Sequence, residues 1–370
     1  MRAIAVNAFR APPELVEIPK PEPGAGEVRV RVTYAALNPC DWQSAQGSPD
    51  TPTAPAFPLV LGVDFAGRVD KIGSGPNRFR VGDQVFGRTT GPVAGTDVDA
   101  DAATGAGTRT GTGTRAGTGT HTSTGTRAGA GAETATAAGP GSTAAAGAAA
   151  VTGTYCDYMT VPQDSAITLI PPGLPSKIAA ALPTAGMAAA QILETVALRG
   201  HESLLVIGAA GGVGSFLTQL AAARDIRVIA AVRGAERTRM AALGAAVTVD
   251  TLAGPLETAV REVCPDGVDA LVDLVSATPD EFSARAAPVR VDGIALSTRG
   301  AAAKAALPAG VTGIDFRLEP TPVLLDVLAA GVAEGVLRVP IDAELRLEEV
   351  PRALDRNRAG GARGKTIIAL

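Results

Sequence analysis

The chain has 370 residues, 46% of them hydrophobic and 3% aromatic, and a formal charge of -4 at pH 7. That length can bury a large core in two domains or one elaborated domain, and an acidic balance without any Lys/Arg block leaves no electrostatic footprint for nucleic acid or a membrane surface. Two histidines, His121 and His201, and three scattered cysteines, Cys40, Cys156 and Cys264, form neither a disulfide framework nor a CxxC or HxxxH metal motif.

The start, MRAIAVNAF, lacks a basic region followed by a long apolar stretch, and no Ala-rich segment stays apolar over a spanning length, so a cytoplasmic protein is expected. In GEVRVRVTY, Val28, Val30 and Val32 alternate with Glu27, Arg29 and Arg31, the period-two pattern of a half-buried strand. FPLVLGVDFAGRV and FRVGDQVFG continue with short apolar runs and glycine turns, which predicts a largely β first domain. From about Gly91 to Val151 the chain is almost entirely Gly, Thr and Ala, with GTRAG occurring twice. So few large apolar side chains cannot offset ordering entropy, and disorder is the expectation, with His121 solvated. Deleting Thr96 to Ala149 is accordingly expected to leave the urea midpoint and cofactor affinity nearly unchanged, because loop-closure entropy changes by only about 0.6 kcal/mol per doubling of length. A large loss of stability in the shortened protein would show that the segment packs.

Order is predicted again from GTYCDYMTVP, followed by a Pro-rich entry and an Ala-rich helix. SLLVIG, RVIAAV and VDALVDLV then read as apolar strands alternating with helices, the pattern of a parallel sheet covered on both faces. GIALST and VTGIDFRLE are expected to extend it, and the final GKTIIAL to return to the first domain. Between the first of these strands and its helix, VIGAAGGVGSF places Gly208, Gly211, Gly212, Val213 and Gly214. A tight strand-to-helix turn lets the backbone approach a pyrophosphate, which the helix N-terminus favours, so a dinucleotide is expected here. An NAD-selective site has an acid near the end of the second strand. This sequence offers Ala231, Val232, Arg233 and then Arg237 and Arg239, and guanidinium groups suit a 2'-phosphate, which points to NADPH. Arg239 is read as solvating a helix face.

The motifs ALNPCDW, GVDFAGRV, GDQVFG, GTYCDYMTVP, LPTAGMAAAQIL, GAAGGVG and RGKTII together resemble the medium-chain dehydrogenase/reductase superfamily, and within it the zinc-free quinone oxidoreductase and enone or enoyl reductase branch. The resemblance covers nearly the whole chain outside the Gly/Thr/Ala insertion. It implies an α/β protein with a GroES-like β-rich substrate domain over residues 1-170, carrying the insertion at about 92-150. A Rossmann doubly wound parallel-sheet domain binding NADPH follows over 171-318, and residues 319-370 return to the substrate domain. A homodimer is expected on the same ground.

Zinc alcohol dehydrogenases of the superfamily carry Cys-His before the Asp of this loop and Gly-His-Glu after the next strand. Here Asn38 and Pro39 stand at the first pair, and Gly62, Val63 and Asp64 at the second, so no metal is expected. The resemblance places Asn38 against the nicotinamide ribose or the substrate carbonyl, with Thr184 and Met187 along the nicotinamide face. It also pairs Asp41 with Lys365, a structural tie that carries positive charge toward the pyrophosphate. Asn38 also reads as simply closing the turn before Pro39. Cys40 falls at a proton-relay position, although a small buried apolar role fits it as well. Thr251 stands where some relatives use a tyrosine beside the 2'-phosphate, whereas Arg237 matches a basic position used for that phosphate.

The implied reaction is hydride transfer from NADPH to a carbon that is already electrophilic, in a quinone or an α,β-unsaturated carbonyl, whose own oxygen takes up the developing charge. The segment after the Asn loop lacks the tyrosines of many quinone reductases and has Trp42 and Gln43 instead, and NPxDW loops also occur in enoyl and alkenal reductases. Two alternatives stay open: a tailoring enzyme of secondary metabolism, working by enoyl reduction or a non-redox step, and a nucleotide-binding regulator without turnover.

Overall fold

The computed structural model describes residues 1-47, 56-89, 153-234 and 236-370. The insertion at about 92-150, with His121, lies outside the described residues, as does much of the segment that follows Trp42.

Among the described residues the first part is a set of strands: β1 (Arg2–Val6), β2 (Glu14–Glu17), β3 (Glu27–Ala36), β4 (Leu59–Val60), β5 (Asp64–Ile72), β6 (Gln84–Arg88), β7 (Tyr158–Pro162) and β8 (Ile167–Leu169), with helix α1 (Pro39–Gln46) after β3. In β3 the residues Val28, Val30 and Val32 are buried as the alternation requires. Arg29, expected on the wet face, is buried as well. Its guanidinium is held by Asp70 at 2.7 Å and Glu22 at 2.7 Å, so the charge is paired rather than solvated.

Helices α2 (Ser176–Ala180) and α3 (Pro183–Val196) lead into strands β9 (Ser203–Ile207), β10 (Arg227–Val232), β11 (Val247–Asp250), β12 (Val268–Asp273), β13 (Val289–Ser297) and β14 (Thr312–Asp315). Between them run α4 (Gly212–Ala222), α5 (Arg237–Ala242), α6 (Leu256–Val263) and α7 (Pro279–Ala286). These strands form a six-stranded sheet in the order β11-β10-β9-β12-β13-β14, and every pairing in it is parallel. All five residues of β9 are buried, as expected of a central strand covered on both faces. The chain then forms α8 (Pro322–Ala333), β15 (Ile341–Arg346), α9 (Val350–Arg358) and β16 (Lys365–Ala369). The parallel sheet with helices between its strands is a Rossmann architecture, and the first part of the chain is a β domain, as expected.

The last strand does return to the first domain: β16 pairs antiparallel with β3, and β3 with β5 and β5 with β6, in one seven-stranded sheet. The register puts Ile367, Ala36, Asp64 and Arg88 side by side across these four strands. The row lies at one end of the sheet, where β5 and β16 begin and β3 and β6 finish, and a cluster of buried polar side chains is built there. No helix among the described residues is long and apolar enough to cross a membrane.

Candidate functional site

At that end of the sheet Asp64 is fully buried, an expensive place for a carboxylate unless it is paired and hydrogen-bonded. It is both. The Asn38 side-chain amide donates to its Oδ2 at 2.8 Å, the Thr184 hydroxyl donates to Oδ1 at 2.6 Å, and the Thr184 backbone N–H donates at 3.2 Å. The Lys365 ammonium lies 3.6 Å from Oδ2. Thr184 sits in the first turn of α3, so Asp64 also places negative charge at a helix N-terminus, where free N–H groups and the helix dipole favour it. Arg88 donates to the Thr184 hydroxyl at 3.0 Å and completes the cluster.

Lys365 donates in addition to the Asn38 Oδ1 at 2.5 Å and to the Leu37 carbonyl at 3.1 Å. The resemblance pairs Lys365 with Asp41, and the structure corrects this. Asp41 sits in the first turn of α1, where its Oδ2 accepts the Asn38 backbone N–H at 2.7 Å and the buried Tyr155 hydroxyl. An acid three residues after the helix start is drawn to the orphan N–H at that start, and Lys365, anchored on β16, meets Asp64 on β5 instead. Asn38 likewise has less freedom than the motif suggests. Its second amide hydrogen goes to the Ala36 carbonyl at 3.3 Å, so it has no spare donor for a substrate carbonyl, and only Oδ1 can accept from a further hydroxyl.

Burial is the main reason the Asp41 carboxyl is pushed up to about 7, against the pull of the bonds from Tyr155 and Asn38. A carboxyl whose pKa is raised by folding binds its proton more tightly in the native state. Its contribution to stability is therefore greatest below about pH 4 and is lost as the pH rises toward about 7. Asp41→Asn keeps an acceptor for Tyr155 and removes the titration. The variant is expected to gain on the wild type by up to about 1.4 kcal/mol per pH unit across that window in urea unfolding. Parallel stability-pH curves would contradict this account of Asp41. Cys40 points its thiol at Asp41 Oδ1, 3.9 Å away, and burial pushes that thiol up. It is not among the residues lining the cleft described next, which fits the small buried role weighed for it and not the relay position.

Beside this cluster a cleft of 690 Å³ opens between the Asn38 loop and the C-terminal ends of the parallel strands, the place where open α/β sheets bind ligands. Gly208, Gly211, Gly212, Val213 and Gly214 form one wall, with Arg233 at the end of β10. Leu37, Asn38, Pro39 and Trp42 form the other, with the segment before β16. Gly208 has φ +81°, and a Cβ on Gly214 would lie 2.5 Å from the Gly208 carbonyl oxygen, so the turn requires glycine at both points. Gly211 caps α4 and has no side chain to occupy the first-turn N–H groups, which remain available to an anion. These features fit a dinucleotide.

Not all the predicted cofactor residues come together. Met187 is fully buried within the core that includes Phe86, Phe216 and Leu328, because it projects from α3 into the packing layer, and Ala185 is the α3 residue that lines the cleft. Thr184 serves Asp64 and does not line the cleft. Arg237 is exposed on α5 and lies outside the lining. Arg239 is no free surface cation. It donates to Glu236 at 2.7 Å and to the Ala210 carbonyl at 2.9 Å. Thr251 lines the cleft and spends its hydroxyl on the Val232 carbonyl. Sequence reasoning missed Arg88, Tyr155, Glu236 and Arg363, and noted Asp64 only as a replacement. A single Asp inside the apolar run LVLGVDFAG was the one available signal of a buried, paired acid.

Two family models match the chain. Residues 24-172 match an alcohol dehydrogenase GroES-like domain and residues 243-368 a zinc-binding dehydrogenase domain. The chain belongs to the medium-chain dehydrogenase/reductase superfamily. Within that superfamily it is 29% identical over 231 residues to a quinone oxidoreductase of Pseudomonas aeruginosa, an alignment covering 62% of this chain and 51% of that protein, so the matched part is about half of the relative's length. Alcohol dehydrogenases are also among the curated relatives. Among superfamily structures, the quinone oxidoreductase from Coxiella burnetii superposes with a TM-score of 0.75 at 23% identity, covering 100% of this chain and 99% of that one. Mycobacterial Rv1454c complexed with NADPH superposes with a TM-score of 0.73 at 23% identity, covering 100% of both chains. Those likenesses establish the superfamily fold. Despite the name of the second matched domain, no three His, Cys, Asp or Glu side chains among the described residues come together as a metal-ion site.

Proposed function

We propose that the chain is a zinc-independent oxidoreductase that takes a hydride from NADPH and delivers it to a quinone or an α,β-unsaturated carbonyl. The observation that carries this reading is a cleft that joins the open N-terminus of α4, the Arg233 guanidinium and the Asn38 to Trp42 loop. Bound there, NADPH supplies the hydride. The chain's own residues bind and orient. The first-turn N–H groups of α4 hold the pyrophosphate, and Arg233 meets the 2'-phosphate at the end of β10. Lys365 and Asp64 fix the Asn38 side chain, whose Oδ1 accepts from Lys365 and keeps one acceptor position for a ribose hydroxyl. At the positions where zinc relatives place ligands, the Asn38 amide is already committed and Val63 has no donor atom, so a substrate must bring its own electron sink. Quinones and enones do so. The quinone oxidoreductases among the relatives support the substrate class, and the NADPH complex among the superposed structures supports the cofactor. A homodimer belongs to the same reading.

NADPH consumption with a benzoquinone, cyclohexenone and cinnamaldehyde, set against NADP⁺ reduction with simple alcohols, tests the proposal. Turnover with the quinone or the enones and none with alcohols is expected. Alcohol oxidation as the faster reaction, or tight NADPH binding without any turnover, would overturn it.

A further inference from the structure

The cleft has an adenosine end, set by chain order: the pyrophosphate belongs at the α4 N-terminus, and the ribose follows toward the end of β10. A carboxylate is buried there. Glu236, just before α5 and only 6% exposed, lines the cleft and is gripped from two sides. Arg239 Nε donates to its Oε2 at 2.7 Å, and Arg363 Nε to its Oε1 at 2.9 Å. Arg239 belongs to the parallel-sheet domain and is tied to the glycine turn through the Ala210 carbonyl. Arg363 comes from the opposite wall, in the loop between α9 and β16. The same loop approaches Arg233 closely, since a Cβ on Gly360 would lie 3.5 Å from the Arg233 Nη1.

An acid near the second strand would by itself suit the ribose hydroxyls of NADH. This acid enters the cleft as part of an ion-paired cluster: each oxygen accepts from one guanidinium and keeps one acceptor position, while the cluster as a whole is not anionic. Arg239 and Arg363 together outweigh the Glu236 carboxylate they hold, and Arg233 lines the same cleft; a phosphate monoester brings about -1.5 to -2 at neutral pH, whereas a bare ribose brings none. Arg239 Nη1 is moreover buried without a hydrogen-bond partner, an unmet donor at the same cluster. Arg363, with its side chain 63% exposed, is the member with room to turn toward a ligand.

We propose that Arg363 is a specificity-determining residue for the 2'-phosphate: Glu236 holds its guanidinium across the adenosine end of the cleft, and the phosphate shares it with Arg233 when NADPH binds. This rests on the NADPH reading above and replaces Arg237, which the motif match favoured, by a residue from the far wall. A guanidinium can bridge a carboxylate and a phosphate because its five donors point in different directions.

Dissociation constants for NADPH, NADH, adenosine 2',5'-bisphosphate and 5'-AMP test it in the full chain. Arg363→Ala is expected to weaken the two 2'-phosphorylated ligands by tenfold or more and leave NADH and 5'-AMP unchanged, while Arg237→Ala changes none of the four. Glu236→Gln, which removes the competing carboxylate, is expected to tighten NADPH several-fold. An Arg363→Ala variant with the wild-type ratio of NADPH to NADH affinity, or an Arg237→Ala variant that loses that ratio, would overturn the inference while leaving NADPH as the cofactor. A wild type without preference for NADPH would instead remove the reading beneath it.

Discussion

Lys365→Met is expected to destabilise the protein by about 3 to 5 kcal/mol in urea unfolding, the largest effect of any single side chain in the cluster. Lys365 and Asp64 are both buried, and the ammonium is the positive charge closest to that carboxylate. Without it Asp64 keeps hydrogen bonds from Asn38 and Thr184 and has no countercharge within the same contact, while Asn38 loses the donor that fixes its orientation. The cost belongs to the stranded charge and not to the pair as such. Adding Asp64→Asn to the Lys365→Met variant should therefore recover most of the loss, a strongly non-additive cycle. Simple additivity of the two substitutions would mean that the ammonium and the carboxylate are not coupled.

Gly214→Ala is expected to weaken dinucleotide binding strongly in a protein that still folds. The added methyl would meet the Gly208 carbonyl oxygen at 2.5 Å and the Ala209 Cα at 2.6 Å, both backbone atoms that cannot swing aside. Overpacking of this kind costs about 1 to 3 kcal/mol. The turn relieves it by moving out of the shape that presents α4 to the pyrophosphate, so the NADPH dissociation constant should rise about tenfold to a hundredfold, with a thermal midpoint only modestly lower. A Gly214→Ala variant that binds NADPH as the wild type does would show that the phosphate is held elsewhere.

The parallel sheet was legible because its strands are apolar on both faces and separated by helical periodicity, and β9 through β14 follow that pattern. The glycine turn was legible for a related reason: a tight turn and a close helix approach leave few residue types to choose from. The ending GKTIIAL implies a return to the first domain, and the pairing of β16 with β3 bears it out. The end of the sheet that carries the candidate site was only half legible. Asp41 and Asp64 stand in similar local contexts, each beside a turn and close to apolar residues, and no sequence rule says which one meets Lys365. That is fixed by sheet register, which sets Asp64 level with Ala36 on β3, next to the start of β16. Arg237 and Arg363 show the same limit. Arg237 follows the second strand closely in sequence, yet it turns away on α5. Arg363 is remote in sequence and reaches the cleft only because the chain returns there between α9 and β16.

Hydride transfer from the cofactor to the β-carbon of an electrophilic substrate is tested most directly by isotope tracing. Cyclohexenone is turned over with NADPH deuterated at nicotinamide C4, each face in a separate sample, and the cyclohexanone is analysed by mass spectrometry and NMR. One deuterium at the β-carbon is expected from one face and none from the other, with the α-position proton drawn from water. Deuterium absent from the product with both samples, or product formed without equivalent NADPH consumption, would contradict hydride transfer.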